Sequence, residues 1–456
     1  MNRRAFLRSA AALAAGPIIV RDARLVRGAA ANEKLNIALI GCGGRGEWFA
    51  QSIPKMENIV ALCDVNEHKA KAAYEALPDV PRYADFRRML DEKDKSIDAV
   101  IIAVPDHSHA TAAMAAIRRG KHVFVEKPLA HNVLECRALR QAAARAKVAT
   151  QMGNQGMSSG QFRTALEIVQ AGLLGEVHEA YVWNSAGGRG KRQLPVEKPP
   201  CPPYLHWDLW LGPAAYRPYH PWWLGWSQWR DLGTGLLGLW GSHSMSFTFK
   251  AMNIAELWSA PGGPAATVLV ESEVSEEEHV SFPRWEVVRY HVPARRGMPP
   301  LRITWFNGPA PGCREAVENL QNARLDWGDA GEKKWKDHGG ALVVGSRGML
   351  RLTEHNATFT LLPAGNFRDF RPPAPVLPRS PGHEREWLAA CRGGAPAMSN
   401  FEWSGPLCEL LMLGNVATRF PGKMRFDPVA CRIIDNPAAN GALGREYRQG
   451  WDLKSM

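Results

Sequence analysis

Two polar segments, each directly after a short apolar run, carry side chains that could do acid–base chemistry. One is Pro105-Asp106-His107-Ser108-His109, and the other is Glu126-Lys127-Pro128-Leu129. A lysine that is partly desolvated near another cation has its pKa lowered toward the working pH, so it could exchange a proton with a substrate hydroxyl. A Glu-Lys-Pro tripeptide is also common in surface turns. A catalytic role for Lys127 is therefore predicted only if other parts of the chain form a binding site beside this tripeptide.

A glycine-rich turn, Gly41-Cys42-Gly43-Gly44-Arg45-Gly46, follows the first apolar run and opens a helical pattern. Such a turn is typical of dinucleotide sites, because a Cβ there would collide with a pyrophosphate bound at the helix N-terminus. Asp64 ends the next apolar run, at the spacing where a carboxylate meets the adenosine ribose hydroxyls. The alternative is a flexible loop, but strand, glycines, helix, strand and acid in this order favour a cofactor site.

The cofactor predicted for this turn is NAD. A carboxylate at Asp64 repels a 2′-phosphate, whereas Arg45 nearby could accommodate one and keeps NADP compatible with the sequence. A nicotinamide ring at this edge would allow Lys127 to move a proton while hydride leaves the same carbon. The candidate cofactor contacts are Gly41, Gly43, Gly44, Arg45, Gly46, Asp64, Pro105, Asp106, His109, Glu126 and Lys127.

Alternating apolar runs and helical patterns between residues 34 and 153 predict a doubly wound parallel sheet, the Rossmann architecture. Strands covered on both faces are almost continuously apolar, and parallel neighbours need a crossover helix. The predicted helices include Asn66–Ala76 and His107–Arg119. The predicted strands are Ile37–Ile40, Ile59–Leu62, Ala99–Val104, Val123–Val125 and Val148–Met152.

Residues 154–456 are predicted to form a second, α+β domain with a large, mostly antiparallel sheet. Helix Phe162–Ala171 comes first, and the closing helices are Glu384–Arg392 and Leu407–Thr418. Strand runs without helices between them favour antiparallel pairing. These runs are Glu179–Trp183, Thr267–Glu271, Trp285–Val292, Leu301–Phe306, Ala341–Val344 and Thr358–Leu362.

Taken together, these features resemble the Gfo/Idh/MocA family of sugar and polyol oxidoreductases, and most closely its exported bacterial branch. The resemblance rests on the glycine turn, Asp64, Pro105-Asp106 and Glu126-Lys127-Pro128, and it runs through Gln151–Gly156, Trp207–Pro213, Tyr219-His220-Pro221 and Asn400–Ala417. It implies a bound nicotinamide cofactor, with Glu126 near the nicotinamide ribose and Lys127 as catalytic proton donor or acceptor. It also implies association of subunits through the face of the second sheet.

The sequence departs from the family in its second-domain motif, which usually reads D-x-G-x-H followed by x-x-D. Here the run 233–243 keeps its glycines and His243, but Leu239 stands at the first aspartate position and Ser246 at the second. The catalytic set is thus reduced to Lys127 and His243, without a carboxylate to orient the imidazole. Asp231 or Asp208 could substitute for it in space.

Seven of the 17 tryptophans lie between Trp207 and Trp240. Aromatic faces can stack on a sugar ring, so the cluster predicts a substrate platform, with core packing as the alternative. Trp240 is a candidate substrate contact for this reason. Arg217, Tyr219 and His220 are candidate hydroxyl-binding groups in the same stretch.

The first 31 residues predict a twin-arginine export signal and hence a periplasmic or secreted protein. Arg3-Arg4 precedes Phe6-Leu7 and an apolar stretch over Ser9–Val20 that is too short to span a membrane, and Ala29-Ala30-Ala31 offers small residues for cleavage. No later segment has the length and apolar character of a span. The twin-arginine route carries folded cargo, which suits a protein that binds its cofactor before export.

Composition excludes several classes of protein and partner. With 45% hydrophobic and 22% charged residues over 456 residues, the chain is neither disordered nor a small disulfide scaffold. The formal net charge is +11, but the first 31 residues carry +5 of it and no basic run follows, so a nucleic-acid partner is not expected. The eight cysteines are dispersed without zinc spacing, so no metal site is predicted.

These observations predict an exported NAD-dependent oxidoreductase acting on a CH–OH group of a sugar, polyol or glycoside. One alternative is a glycosidase or lyase that retains its NAD and returns the hydride, with no net redox change. Another alternative, suggested by Leu239 and Ser246, is a sugar-binding homologue without catalysis.

Overall fold

The N-terminal sheet of the computed structural model is fully parallel, with strand order β3-β2-β1-β4-β5-β6. Its core strands β1, β4 and β5 are buried almost throughout, since helices cover both faces. The strands are β1 Asn36–Ile40, β2 Asn58–Cys63, β3 Arg82–Tyr83, β4 Ala99–Ile102, β5 His122–Val125 and β6 Thr150–Met152. The predicted Rossmann architecture is confirmed, although the two-residue β3 has no apolar run that could have revealed it.

The structure describes residues 34–259, 266–277, 279–295, 297–310 and 338–456. The predicted signal segment 1–31 and Cys313 lie outside these ranges. Both sheets belong to one compact unit, Leu35–Met456. Within the described residues, no helix combines the length and apolar character needed to span a bilayer.

Helices connect the parallel strands and begin where side chains cap them. Asn66, Asp85 and Asn132 each accept a hydrogen bond from a first-turn N–H group. These helices are α1 Arg45–Ser52, α2 Glu67–Ala76, α3 Phe86–Lys93, α4 His109–Arg118 and α5 Val133–Ala146. The helix predicted from His107 starts at His109, because Asp106–Ser108 forms a separate 3-10 turn.

The second sheet has nine strands in the order β13-β12-β11-β7-β10-β9-β8-β14-β15. Every paired neighbour is antiparallel except β7 and β10, so the sheet is mixed but mostly antiparallel, as predicted. Its strands are β7 Val177–Asn184, β8 Val268–Val274, β9 Glu286–Val292, β10 Leu301–Asn307, β11 Gly339–Gly345, β12 Met349–Thr353, β13 Phe359–Leu362, β14 Met424–Asp427 and β15 Arg432–Ile433.

The remaining α-helices of the described residues lie between and after these strands. They are α6 Gly160–Gln170, α7 Trp207–Leu211, α8 Gly235–Leu239, α9 Gly241–Ser244, α10 Ser246–Ala251, α11 His383–Cys391, α12 Phe401–Ala417 and α13 Pro437–Gly441. Helix α12 begins six residues before the predicted Leu407, because Asn400 caps it and Pro406 is accommodated in its second turn.

Helix α12 joins the two halves of the molecule. It is buried along nearly its whole length and packs against α5 of the N-terminal half. Its Glu409 carboxylate is buried and accepts bonds from Arg137 Nη2 at 2.7 Å and Trp258 Nε1 at 2.7 Å. A buried carboxylate with such partners fixes the register between α5 and the second domain, because losing one partner would leave a buried charge.

Candidate active site

The glycine turn between β1 and α1 leaves no room for side chains. Gly41 has φ +86°, and a Cβ there would lie 2.2 Å from the Ala103 carbonyl oxygen of the neighbouring strand. A Cβ at Gly46 would lie 1.9 Å from the Gly41 carbonyl oxygen. The turn therefore requires glycine at these positions for its own packing, in addition to any demand from a ligand.

Asp64 lies against this turn at the carboxyl end of β2. Its Oδ2 accepts hydrogen bonds from the Cys42 amide at 2.7 Å and the Gly43 amide at 3.3 Å. Burial raises the pKa of the Asp64 carboxyl, whereas these backbone bonds act in the opposite direction. Asp64 thus fixes the turn and also places a carboxylate where an adenosine ribose would bind.

Arg45 directs its side chain to carboxylates other than Asp64. Its Nε donates to Glu126 Oε1 at 3.1 Å, its Nη2 lies 3.7 Å from Glu384 Oε1, and its guanidinium covers the Trp48 ring at 4.0 Å. Since Arg45 is bound to carboxylates there, it does not offer its charge to a phosphate beside Asp64. This arrangement favours NAD over NADP.

The two polar segments after β4 and β5 are held by bonds to the second half of the chain. Asp106 is fully buried, and its Oδ2 accepts from Thr234 N at 3.0 Å and Thr234 Oγ1 at 2.6 Å. Burial raises the pKa of Asp106 to about 7. Pro105 comes directly before this buried turn. Both ring nitrogens of His109 face carbonyls, of Pro128 at 2.7 Å and Val104 at 2.8 Å.

Lys127 extends from the end of β5 to the second half of the molecule. Its Nζ donates to the Leu239 carbonyl oxygen at 3.0 Å and lies 5.7 Å from the centroid of the Trp240 ring. Burial lowers the pKa of Lys127, while Glu126 and Asp106 act in the opposite direction. A lysine with a lowered pKa and few competing ion pairs suits proton exchange.

His243 stands on α9, one turn after the carbonyl that receives Lys127. Its side chain is 4% exposed, and its Nδ1 has no hydrogen-bond partner within the described ranges. Its ring lies 6.1 Å from the Trp240 ring, which Lys127 also approaches. Burial, followed by the charge of Lys127, lowers the pKa of His243 well below its ordinary value, so the imidazole is neutral at neutral pH. The structure thus brings together the two side chains predicted to be catalytic.

Leu239 and Ser246 stand where the family motif has aspartates. Near both positions, main-chain carbonyls accept hydrogen bonds from side chains. The Leu239 carbonyl accepts from Lys127 Nζ and from Ser242 Oγ at 3.2 Å. Ser246 Oγ donates to the His243 carbonyl at 2.6 Å. Neither proposed substitute orients His243, because Asp231 pairs with Arg217 and Asp208 pairs with Arg448. The carboxylates whose charges act most strongly on Lys127 are Glu126 and Asp106.

Sequence reasoning missed three polar residues that surround this pair. His355, in the turn between β12 and β13, has its ring centroid 4.7 Å from that of His243. Two further residues lie at the start of α11. Glu384 Oε1 is 3.7 Å from Arg45 Nη2, and His383 is among the groups that lower the pKa of His243. No local motif marks these residues, since they come from segments more than 100 positions further along the chain.

The tryptophan-rich stretch mostly forms a small core of its own. Its buried members are Trp207, Trp210, Trp223 and Trp229, packed with Leu205, Leu211, Ala214 and Leu232. Trp222, in contrast, is 52% exposed, and Trp240 lies beside Lys127. Core packing therefore accounts for most of the cluster.

The candidate substrate residues of this stretch have partners within the protein. Arg217 pairs with Asp231, Tyr219 packs edge-on against Trp207 at 5.3 Å, and His220 Nδ1 accepts from the Trp222 amide at 3.2 Å. Their role in binding a substrate stays a prediction, and the structure does not bring them to Lys127 through any direct bond in the described residues.

The residues at the glycine turn fit a dinucleotide. Gly44 caps α1 without a side-chain hydrogen bond, so no capping side chain covers the first turn, although the Gly46 N–H donates to the Gly43 carbonyl at 3.0 Å. A Cβ at Gly44, in contrast to Gly41 and Gly46, would have no protein atom within 4 Å, so the turn is open on that side. A negatively charged pyrophosphate at such a helix N-terminus is stabilised by both the N–H donors and the helix dipole.

Comparison with known protein families supports a dinucleotide site in the N-terminal half. Residues 35–154 match the GFO_IDH_MocA family, described as an oxidoreductase family with an NAD-binding Rossmann fold. The match ends after β6, so it includes the glycine turn, Asp64 and Lys127 but not His243. The predicted NAD-binding Rossmann fold is confirmed for these residues.

Similarity to individual proteins is partial in sequence and broad in fold. The chain is 26% identical over 146 residues to the myo-inositol 2-dehydrogenase of Thermotoga maritima, covering 32% of this chain and 43% of that protein. It is 31% identical over 160 residues to a glycosyl hydrolase family 109 protein of Solibacter usitatus, covering 32% of this chain and 36% of that protein. The alignments thus span less than half the length of these relatives.

A solved structure extends the likeness in fold. The WlbA dehydrogenase of Bordetella pertussis, in complex with NADH and UDP-GlcNAcA, superposes with a TM-score of 0.57 at 15% identity, covering 86% of this chain and 98% of that one. This likeness concerns the fold alone.

Proposed function

We propose that the whole chain is an NAD-dependent oxidoreductase, because residues 35–154 match an oxidoreductase family with an NAD-binding Rossmann fold. Its substrate is a sugar, polyol or glycoside that is oxidised or reduced at a CH–OH group. The observation that carries the proposal is the bond from Lys127 Nζ to the Leu239 carbonyl at 3.0 Å, because it brings the lysine of one half to the α8–α9 segment that bears His243.

The residues of the N-terminal half would hold the cofactor. The glycine turn and the first turn of α1 would bind the pyrophosphate, Asp64 would bind the adenosine ribose, and Glu126 would lie by the nicotinamide ribose. NAD, when bound, supplies the hydride acceptor. Arg45 Nε donates to Glu126 Oε1 at 3.1 Å and thereby orients the carboxylate that would face this ribose.

Lys127 and His243 would move the hydroxyl proton. The lowered pKa of Lys127 increases the fraction of neutral amine that can accept a proton. His243 is neutral because burial, followed by the charge of Lys127, lowers its pKa, and a neutral imidazole has one nitrogen that can accept a proton. Lys127 is thus the stronger base of the two, and His243 can take up a proton only transiently.

The test is cofactor absorbance at 340 nm with NAD or NADH and a panel of polyols, sugars, keto sugars and nitrophenyl glycosides. For an active pair, Lys127→Met should reduce kcat by about 10²–10⁴-fold, the range for loss of a general acid or base. Lys71→Met, on the exposed face of α2, is the matched control and should leave turnover unchanged. Turnover of Lys127→Met within twofold of the wild type would overturn the role of Lys127, whereas no turnover by the wild type with any compound of the panel would favour a binding protein.

A second candidate is a glycosidase or lyase with a retained NAD, and one feature of the fold favours it. The segment 202–206 crosses the loop after β2, where His206 N donates to Val65 O at 2.9 Å and Glu67 N donates to Tyr204 O at 3.0 Å. The Tyr204 ring also stacks on His68 at 3.5 Å. This segment lies next to Asp64, so it would hinder release of an adenosine bound there.

Product analysis separates the two candidates. A dehydrogenase converts its substrate to a keto compound and accumulates reduced cofactor. A retained-NAD glycosidase releases nitrophenol from a glycoside while absorbance at 340 nm returns to its starting value.

We also propose that residues 1–31 direct export through the twin-arginine pathway to the periplasm or the medium. N-terminal sequencing of the protein from the periplasmic fraction should find cleavage near Ala31. Replacement of Arg3 and Arg4 by lysine should keep the protein in the cytoplasm.

The second sheet is proposed to mediate homo-oligomer formation. Two cross-strand polar contacts lie between β8 and β9 of this sheet, an ion pair of Arg289 with Glu273 at 2.5 Å and a hydrogen bond between His291 and Glu271 at 2.9 Å. Light scattering after size exclusion should report a mass above 50.4 kDa, the mass of one chain.

A further inference from the structure

His243 is placed where a proton that it accepts has no direct route to bulk water. Oxidation of a CH–OH group by NAD yields a carbonyl, NADH and one proton, and in steady state that proton must reach bulk water. The His243 side chain is only 4% exposed, and its Nδ1 has no partner among the described residues. A base in this position needs a neighbour that is open to solvent.

His355 is such a neighbour. It lies in the tight turn between β12 and β13 and is exposed to solvent. Its ring centroid is 4.7 Å from that of His243, with 59° between the ring planes, and 5.2 Å from that of Trp240. Two imidazole rings at this separation are in direct contact, so a small rotation brings their nitrogens within hydrogen-bond reach.

The turn that bears His355 is fixed against α9. Asn356 is fully buried with φ 56°, and its Nδ2 donates to the carbonyls of His243 at 2.7 Å and Ser244 at 3.1 Å and to Ser246 Oγ at 3.2 Å. Ser159 Oγ donates to the Ala357 carbonyl at 2.6 Å on the next residue of the turn. The contact between the two histidines is therefore built into the fold rather than made by a free loop.

The other charged groups around His243 are already engaged. His383 uses both ring nitrogens, with Ser158 Oγ at 2.8 Å and the Met152 carbonyl at 2.8 Å. Lys127 donates to Leu239 O, and Arg45 is bound to Glu126. Of the four groups whose charges most affect His243, His355 alone combines an exposed ring with ring contact to His243.

We propose that His355 relays protons between His243 and solvent. His243 accepts the proton of the substrate hydroxyl, directly or through Lys127, at one ring nitrogen and gives up a proton from the other to His355. His355 then releases its proton to water, and both rings return to the neutral state. This inference rests on the proposed function, and the opposite direction of the reaction uses the same route in reverse.

The kinetic test compares the wild type with His355→Phe, which keeps an aromatic ring against Trp240 but cannot carry a proton. We expect kcat to fall by about tenfold or more with KM little changed, since proton transfer by a positioned group contributes at least this much. Added imidazole should restore part of the rate, and a structural defect would not respond to it. His178→Gln, a change at an exposed histidine of β7, is the control. A kcat of His355→Phe within twofold of the wild type would overturn the relay.

A second measurement does not depend on turnover. The imidazole signals of His243 are followed by nitrogen NMR against pH in the wild type and in His355→Gln. If the rings are coupled, loss of the imidazole at position 355 changes the titration of His243. An unchanged titration overturns the relay even if the substrate is unknown. Absence of turnover in the wild type together with a shifted titration would refute the proposed function while retaining the coupling between the histidines.

Discussion

The two sides of the candidate active site are built by different means. On the N-terminal side, the glycine turn is fixed by backbone sterics between residues close in sequence, such as Gly41 and Gly46. On the side of the second domain, Lys127 Nζ donates to the Leu239 carbonyl and Asn356 Nδ2 donates to the His243 carbonyl. Each bond joins residues more than 100 positions apart in the sequence. The first side is formed by the exclusion of side chains, and the second by specific side-chain donors.

Because the two sides are built differently, mutations on them should have different effects. A change at the turn should damage folding and cofactor binding together, because a Cβ must displace the main chain of a central strand. A change on the other side should leave the N-terminal sheet intact and affect the position of the catalytic groups. The following predictions test that separation, beginning with the largest effect.

Gly46→Ala should cost at least about 3 kcal/mol of folding free energy and abolish NAD binding, since its Cβ would lie 1.9 Å from the Gly41 oxygen. Gly44→Ala is the matched control, because φ is +55° there but no atom lies within 4 Å of the added Cβ. It should cost only about 1–2 kcal/mol. Chemical denaturation and calorimetry with NAD measure both effects, and equal losses in the two variants would contradict the steric account.

Asp106→Asn should make stability less dependent on pH. Burial raises the pKa of Asp106 to about 7 in the folded state, above the unfolded value of about 3.9. Its carboxyl therefore adds stability below about pH 4 that is lost as pH rises to about 7. Relative to the variant, the wild type should lose up to about 4 kcal/mol across this range.

Urea denaturation at several pH values between 4 and 7.5 measures this difference. A gap between Asp106→Asn and the wild type that is constant with pH would show that the carboxyl is ionised throughout. Thr234, in the second half of the chain, donates a hydrogen bond to Asp106. The Asp106 variant therefore tests a bond between the two sides of the site.

Asn356→Gly should cost about 1–3 kcal/mol, the usual effect of leaving buried polar groups unpaired. Glycine keeps the left-handed conformation at φ 56° but removes the donor to the His243 and Ser244 carbonyls. Binding of NAD should be unchanged, and kcat should fall because the turn no longer holds His355 against His243. Weakened NAD binding in this variant would contradict the expectation that the second-domain side does not affect the cofactor site.

Asn66→Ala should have the smallest effect, about 1 kcal/mol of stability with no change in kcat. Its side chain accepts from the Lys69 amide at 3.0 Å and caps α2, outside the catalytic groups. Thermal denaturation and steady-state kinetics check this pair of expectations. A marked loss of NAD affinity would instead link this cap to the adenosine site.

The fold of the N-terminal half could be predicted almost completely, because buried parallel strands such as Ala99–Ile102 are continuous apolar runs. The nine-strand sheet was predictable as a class but not in its order. The parallel pairing of β7 with β10 joins strands more than 100 residues apart, and no local pattern encodes it. Helix α12 was predicted too short because Pro406 interrupts the pattern without ending the helix.

The candidate site was predictable where a local motif carries it. The glycine turn, Asp64, Lys127 and His243 each stand in a recognisable sequence context. His355, Glu384 and the Leu239 carbonyl do not, because their roles depend on tertiary contacts or on main-chain atoms. The same limit explains the tryptophans, since composition alone does not distinguish a stacking platform from the small core around Trp229.

The group that receives the Lys127 ammonium is a peptide oxygen, which every amino acid supplies. Replacement of the Leu239 side chain therefore changes the shape and polarity beside the lysine without removing its anchor. A saturation library at position 239 could explore new substrate preferences while the proton-transfer geometry is inherited unchanged. The absence of an acidic side chain here makes this position a natural entry point for engineering.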